Sequence, residues 1–158
     1  MFAEKKFEDP RKHLIVDGVA TENPGGSLGW ACVNGLGEVV HKGSRGSSPV
    51  NTSPRAELHA MISALEHVPS GDGSKGWLVE SRSRYAVFAI TRGWLRAWEA
   101  RRYKTSDGIR VKNRDLMEHL ARLIEDKPHV EIVWSQGLTG HPLRQLADRH
   151  ANRAAREG

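Results

Sequence analysis

The chain has 158 residues, 38% hydrophobic and 27% charged, with a formal charge of +5 and a single cysteine. That length suits one domain, whose folded surface of roughly 8,000 Å² against roughly 25,000 Å² unfolded leaves enough burial for a core without staples. Cys32 alone excludes an internal disulfide framework and a cysteine-rich zinc module, and no apolar run approaches the ~20 residues that span a bilayer.

The basic balance favours an anionic partner, nucleic acid first, without establishing one. The expectation is a monomer in a reducing, cytoplasmic setting, with no membrane partner. Residues 1–11 read as a polar leader, 12–155 as the folded domain and 156–158 as a tail.

The hydrophobic period changes several times along the chain. His13-Leu14-Ile15-Val16 reads as a strand that enters a turn at Asp17-Gly18. Gly29 to Val33 and Glu38 to Lys42 read as two more strands, joined by the hairpin signal Asn34-Gly35-Leu36-Gly37. Leu58, Met61, Ile62 and Leu65 then fall on one face of a helix that starts near Ser53-Pro54. Trp77-Leu78-Val79 returns to strand, Tyr85 to Thr91 and Trp94 to Arg101 read as helical, and Leu116, Leu120, Leu123 and Ile124 form another amphipathic face. Val130, Ile132 and Trp134 alternate as a strand, and Leu143, Leu146, Ala147, His150 and Ala151 lie on a last helix. This order predicts an α/β fold, with a mixed sheet of three antiparallel strands followed by crossover strands and flanked by helices.

Asp17, Glu57 and Asp148 fall in three separate elements of that plan. Carboxylates from separate elements can converge at a sheet end and hold hard cations through oxygen; equally, they can be three unrelated surface acids.

The strings around them resemble type 1 ribonuclease H. Asp17-Gly18 with Asn23-Pro24-Gly25-Gly26 and Gly29-Trp30-Ala31 is similar to that family's opening strand and turn. Thr52-Ser53-Pro54-Arg55-Ala56-Glu57-Leu58 resembles the helix start that carries its catalytic Glu. Ser83-Arg84-Tyr85, Ile90-Thr91, Trp94 and Trp98, then Lys104-Thr105, Val111-Lys112-Asn113 and Asp115-Leu116, follow in the family's order. Gly137, Gly140-His141-Pro142 and Ala147-Asp148 resemble its last catalytic segment. The match is collinear over about residues 13 to 155. It implies a ribonuclease H-like fold with a five-stranded sheet, and hydrolysis of the RNA strand of an RNA/DNA hybrid by two Mg²⁺ ions held on four carboxylates. Asp17, Glu57 and Asp148 match three of the four.

The fourth position departs from the family. Its pattern is an Asp followed by Ser, a polar residue and Tyr, and here the run is Arg82-Ser83-Arg84-Tyr85. Arg82 therefore stands where a carboxylate is expected. The His expected after Gly137 is Leu138, and Gln136 precedes that glycine. An arginine stays protonated in a protein, and at about 4 Å and an effective dielectric near 20 each charge pair is on the order of 4 kcal/mol. One attraction lost and one repulsion added leave room for one weakly bound Mg²⁺ or Mn²⁺, or none. The expected arrangement has the guanidinium bridging Asp17 and Glu57 in place of a cation. The alternatives are a local bulge that lets Glu80, two residues before Arg82, supply the fourth carboxylate, and an Arg82 that swings out toward phosphate and leaves one ion on Asp17 and Asp148 with slow turnover.

For binding, the resemblance implies that Asn23 contacts the RNA strand and that Thr52 and Asn113 hold a DNA phosphate. Val50 stands where that pocket's Arg is expected, Pro54 replaces an Asn, and Arg84 adds a charge near the scissile region. Arg92, Arg96, Arg101, Arg102 and Lys104, interleaved with Trp94, Trp98 and Tyr103, resemble the family's basic protrusion; the two tryptophans, at i and i+4, equally suit a core-facing stripe. His141 is expected to shape a turn, and Cys32 and Trp134 to be core.

These features lead to a protein that binds RNA/DNA hybrid or a related duplex, with cleavage lost or strongly impaired: a pseudoenzyme. The alternatives are a divergent metal-dependent ribonuclease H and a partner-binding scaffold without nucleic acid.

Overall fold

β1 (His13–Ala20) lies at the centre of a five-stranded sheet whose order is β3-β2-β1-β4-β5. The computed structural model describes residues 9–104, 111–135 and 141–158. β2 (Leu28–Asn34) and β3 (Val39–Arg45) continue from β1 as antiparallel neighbours, whereas β4 (Leu78–Ser81) and β5 (Glu131–Trp134) run parallel to it. Parallel pairing requires crossovers, and helices supply them. These are α1 (Ser53–His67), α2 (Arg84–Thr91), α3 (Trp94–Ala100), α4 (Arg114–Asp126) and α5 (Pro142–Glu157). The architecture is the mixed α/β sheet that the element order predicts.

β2 is buried at every residue, because both faces of a central strand are covered. β3 is the free edge, and its exposed positions include His41, Lys42 and Arg45, polar and charged groups that discourage edge pairing. The turn between them is built by Asn34, whose Oδ1 accepts from the backbone N–H of Leu36 and of Glu38, both at 3.0 Å.

β1 does not stop at Asp17-Gly18. Its ladder with β2 continues through Asp17↔Ala31 and Gly18↔Trp30 to Ala20↔Leu28. The glycine is there for close approach instead of a turn: a Cβ on Gly18 would lie 2.3 Å from the Ala56 carbonyl oxygen, so only glycine lets α1 settle on this face. Leu14, Val16, Trp30, Cys32 and Val79 pack beneath it in the main core.

α5 covers the opposite face by the same device. Ala147, Ala151 and Ala155 are buried along it, and a Cβ on Gly29 would meet the Ala151 oxygen at 2.2 Å and the Ala155 nitrogen at 2.3 Å. Thr52 starts α1, its Oγ1 accepting from Arg55 N–H at 3.2 Å. The two helices thus approach the same end of the sheet from opposite sides.

The α1 face carries a stacked pair, with the rings of His59 and Trp30 4.4 Å apart and 10° from parallel, and Arg45 over Trp30 at 5.4 Å. Burial, then the charges of Arg45 and Arg55, push the His59 imidazole down to about 4.

Two outcomes follow. Gly29→Ala is expected to lower stability by about 2–3 kcal/mol in chemical denaturation, because α5 must lift off β2. Between about pH 4 and 6.5 the unfolded chain takes up a proton at His59 that the folded chain refuses, so stability should rise with pH across that window and level off above it. The gain is about 1–2 kcal/mol after allowing for solvent screening of this half-buried ring, and His59→Phe, which keeps the stack, should flatten it.

Candidate functional site

Val16 pairs with Ser81, so the residues that follow, Asp17 on β1 and Arg82 just past the end of β4, meet side by side. By strand alternation both project towards α5. Arg82 Nε donates to Asp17 Oδ1 at 3.0 Å, and the same oxygen accepts from Gly18 N–H at 3.1 Å. Arg82 Nη2 lies 3.7 Å from Oδ1 of Asp148, in the second turn of α5. The guanidinium therefore spans two of the three acids singled out in the sequence, one buried and one half-exposed.

Asp17 is the strained member. Burial first, then the neighbouring Asp148 carboxyl, push its pKa up to about 7, and Arg82 and Arg144 only partly offset them. Its oxygens are of the kind that hard cations take, but a cation is already present in covalent form as the Arg82 side chain.

Glu57, the fifth residue of α1, belongs to the same group. Burial raises its pKa, opposed by Ser83 and by the charge of Arg82. The expected Asp17–Arg82–Glu57 bridge is corrected in one respect: the second carboxylate that Arg82 reaches is Asp148. Strand alternation is the reason, since Arg82 emerges on the α5 face while Glu57 comes from the helix on the other side.

Glu80 does not replace the missing acid. The β1–β4 register runs without a shift through Ile15↔Glu80 and Val16↔Ser81, so no bulge carries Glu80 forward. Its Oε1 instead accepts from His13 Nε2 at 3.0 Å, with both side chains buried. Burial works against the charged carboxyl, yet His13, His141 and Ser135 together hold it below the usual range. His13 is a residue the sequence reading passed over. A titratable residue at a buried position of an otherwise apolar strand was the available signal, since such a group needs a partner.

The residues expected to face nucleic acid are partly gathered. Asn23 Oδ1 accepts from Ser53 N–H at 3.2 Å, tying the β1–β2 loop to the start of α1. Thr52 caps that helix, and Arg55 crosses to α4, donating to Asn113 Oδ1 at 3.2 Å and to both oxygens of Asp115 at 3.0 and 2.6 Å. Asn113 Nδ2 in turn donates to the Tyr85 hydroxyl at 3.3 Å. Arg55 thus links Thr52 and Asn113, a role not foreseen from the sequence. A cation in the first turn of a helix opposes the dipole, which marks it as a residue with a partner elsewhere. Val50 is exposed to solvent, where a basic side chain was expected from the resemblance.

Arg84, at the start of α2, lies 4.9 Å over Trp134 and 5.9 Å from the Phe88 ring, and Arg92 covers Phe88 at 3.9 Å. Trp134 is half-buried instead of fully core, and its Nε1 donates to the Arg82 carbonyl at 3.1 Å. Trp94 and Trp98 pack partly buried against the core, 6.0 Å apart, so the core-facing reading holds for both. Tyr103 is buried too, while Arg96, Arg101, Arg102 and Lys104 are exposed. His141 caps α5, its Nδ1 accepting from Arg144 N–H at 3.4 Å, and buried Cys32 has its thiol pushed up to about 12. Gln136, Gly137 and Leu138 lie outside the described residues. Among the described residues no helix is long and apolar enough to cross a membrane.

Comparison with known proteins agrees with this layout. The RNase H family model matches residues 9–156. The chain is 36% identical over 152 residues to the Ribonuclease HI of Caulobacter vibrioides, covering 94% of this chain and 95% of that protein. It is also 36% identical over 149 residues to the Ribonuclease H of Thermus thermophilus, covering 92% and 86%. In three dimensions it resembles the PFV RNase H domain (TM-score 0.69, 18% identity, 92% and 94% of the two chains). LC9-RNase H1, described as a type 1 RNase H with the type 2 active-site motif, is similar as well (TM-score 0.63, 24% identity, 95% and 75%). With the fold, the strand-borne Asp17 and a family match over almost the whole length in agreement, this chain belongs to the ribonuclease H family.

Proposed function

We propose that this protein binds RNA/DNA hybrid or a closely related duplex through a ribonuclease H domain, with cleavage of the RNA strand lost or strongly impaired. The observation that carries the reading is the Arg82 guanidinium set between Asp17 and Asp148. Relatives in this family generally use Mg²⁺, and a two-metal centre clamps the attacking and leaving oxygens of a phosphodiester on a cluster of negative ligands. The donor set here does not fit a pair of such ions. Asp17 Oδ1 is engaged by two N–H donors, Asp148 faces a positive group, and a guanidinium does not lose its proton to make room.

Binding does not depend on that chemistry. Hybrid duplexes are recognised by shape, phosphates and 2′-hydroxyls, and Asn23, Thr52, Asn113 and Arg84 with the exposed Arg96, Arg101, Arg102 and Lys104 supply donors and charge for this. A second reading, a divergent ribonuclease H that still cleaves, is favoured by the names of the relatives, which are those of ribonucleases.

A labelled hybrid of about 20 base pairs, incubated with Mg²⁺ and separately with Mn²⁺, separates the two. The unmodified chain is expected to bind and leave the RNA intact, whereas Arg82→Asp should gain cleavage by at least about tenfold together with a divalent-dependent rise in Tm. Efficient cleavage by the unmodified chain establishes the second reading instead. Hybrid affinity should also fall steeply with salt. Four phosphate contacts would weaken it on the order of 100-fold between 50 and 200 mM, and a flat response would mean that phosphates are not the target.

A further inference from the structure

α5 has two unlike sides. Ala147, Ala151 and Ala155 face the sheet, while Arg149, Arg153 and Arg156 are exposed on the outside at i, i+4 and i+7, one stripe of the helix. Lys42, on the free edge strand β3, joins Arg153 around an open hollow of about 260 Å³. A second hollow of about 450 Å³ is lined by Asp148, Arg149, Asn152, Arg153, Arg156 and Glu157. Arg153 and Glu157 belong to both hollows, so they form one strip, in which four cations outnumber the carboxylates of Asp148 and Glu157. It begins at Asp148, the acid that Arg82 contacts, and runs along α5 to the sheet edge.

Among the described residues none of the four cations has an ion pair or a side-chain hydrogen bond. Placing like charges four apart on a helix works against its stability, and only Arg156 lies in the last turn, where a cation favours the helix dipole. The crowding is felt locally: burial and then the charges of Arg153, Lys42 and Arg149 hold His150 below its ordinary value.

Dimensions and chemistry point to one ligand. Arg149 to Arg156 covers roughly 10 Å along the helix axis, long enough for the stripe to meet more than one phosphate of an extended strand. Guanidinium forks suit phosphate oxygens. We propose that Arg149, Arg153, Arg156 and Lys42 form a second phosphate-backbone site that takes a nucleic-acid strand continuing beyond the duplex held at the Asp17–Arg82–Asp148 centre. The proposal extends the hybrid-binding reading and names its preferred ligand as a hybrid with a flanking strand.

The test compares a 12-base-pair hybrid, the same hybrid with a 15-nucleotide single-stranded extension at either end, and the extension alone. Each is titrated against the unmodified chain, Arg149→Gln/Arg153→Gln and, separately, Lys42→Gln, with Tm recorded for all. The unmodified chain should bind one extended hybrid about 5- to 10-fold more tightly than the short one. The double variant should lose that gain, keep its affinity for the short hybrid within twofold, and show a salt slope for the extended ligand shallower by about two. Lys42→Gln should lose part of the gain. No gain from either extension, or a gain that the double variant keeps, overturns the proposal. If the short hybrid is not bound at all, the hybrid reading fails separately; the strip then stands on binding of the extension alone that the double variant abolishes, and falls without it.

Discussion

A guanidinium held against a buried carboxylate at the centre of a sheet governs this molecule. Asp17 sits on the central strand with little access to water, where an unpaired charge costs several kcal/mol. The chain answers that cost from the adjacent strand. β4 runs parallel to β1 in a register that sets Arg82 beside Asp17, and the same side chain is long enough to reach Asp148 on α5. Arg82 thereby joins two strands and a helix at the point where the family's resemblance leads one to expect ligands for cations. Whatever chemistry the site performs begins from a centre whose positive charge is part of the chain.

The surroundings are organised to bring those groups together. Gly18 admits α1 to one face and Gly29 admits α5 to the other, so Glu57 and Asp148 arrive at the same sheet end from opposite sides. Behind them, His13 engages Glu80 Oε1 in the interior, and this keeps a fourth carboxylate away from Asp17. Trp134 donates to the Arg82 carbonyl and lies beneath Arg84, coupling the site to an arginine–aromatic surface on α2. Arg55 couples it on the other flank, from α1 across to Asn113 and Asp115 on α4.

α5 shows how one helix serves two ends. Its small buried residues permit close packing, which brings Asp148 to the site, and its outer side carries Arg149, Arg153 and Arg156, which form no ion pair among the described residues. The two sides obey different constraints, steric on the inside and electrostatic on the outside, so each can change without the other.

Element order, the sheet plan, the amphipathic faces of α1 and α4, and the three acids with Arg82 among the matching motifs were all readable from residue patterns, because apolar periodicity and short polar strings are local properties. What Arg82 touches was not. The choice of Asp148 over Glu57 depends on which face of β4 the side chain leaves and on how close α5 comes, and that closeness depends on a glycine over a hundred residues away. Glu80 has the right residue type and spacing to be a ligand, yet the parallel register gives it to His13. Gly18 reads as a turn in one dimension and is a packing contact in three. Local pattern determines which elements form, whereas the pairing of charges is decided by long-range register and by the distance at which two layers meet.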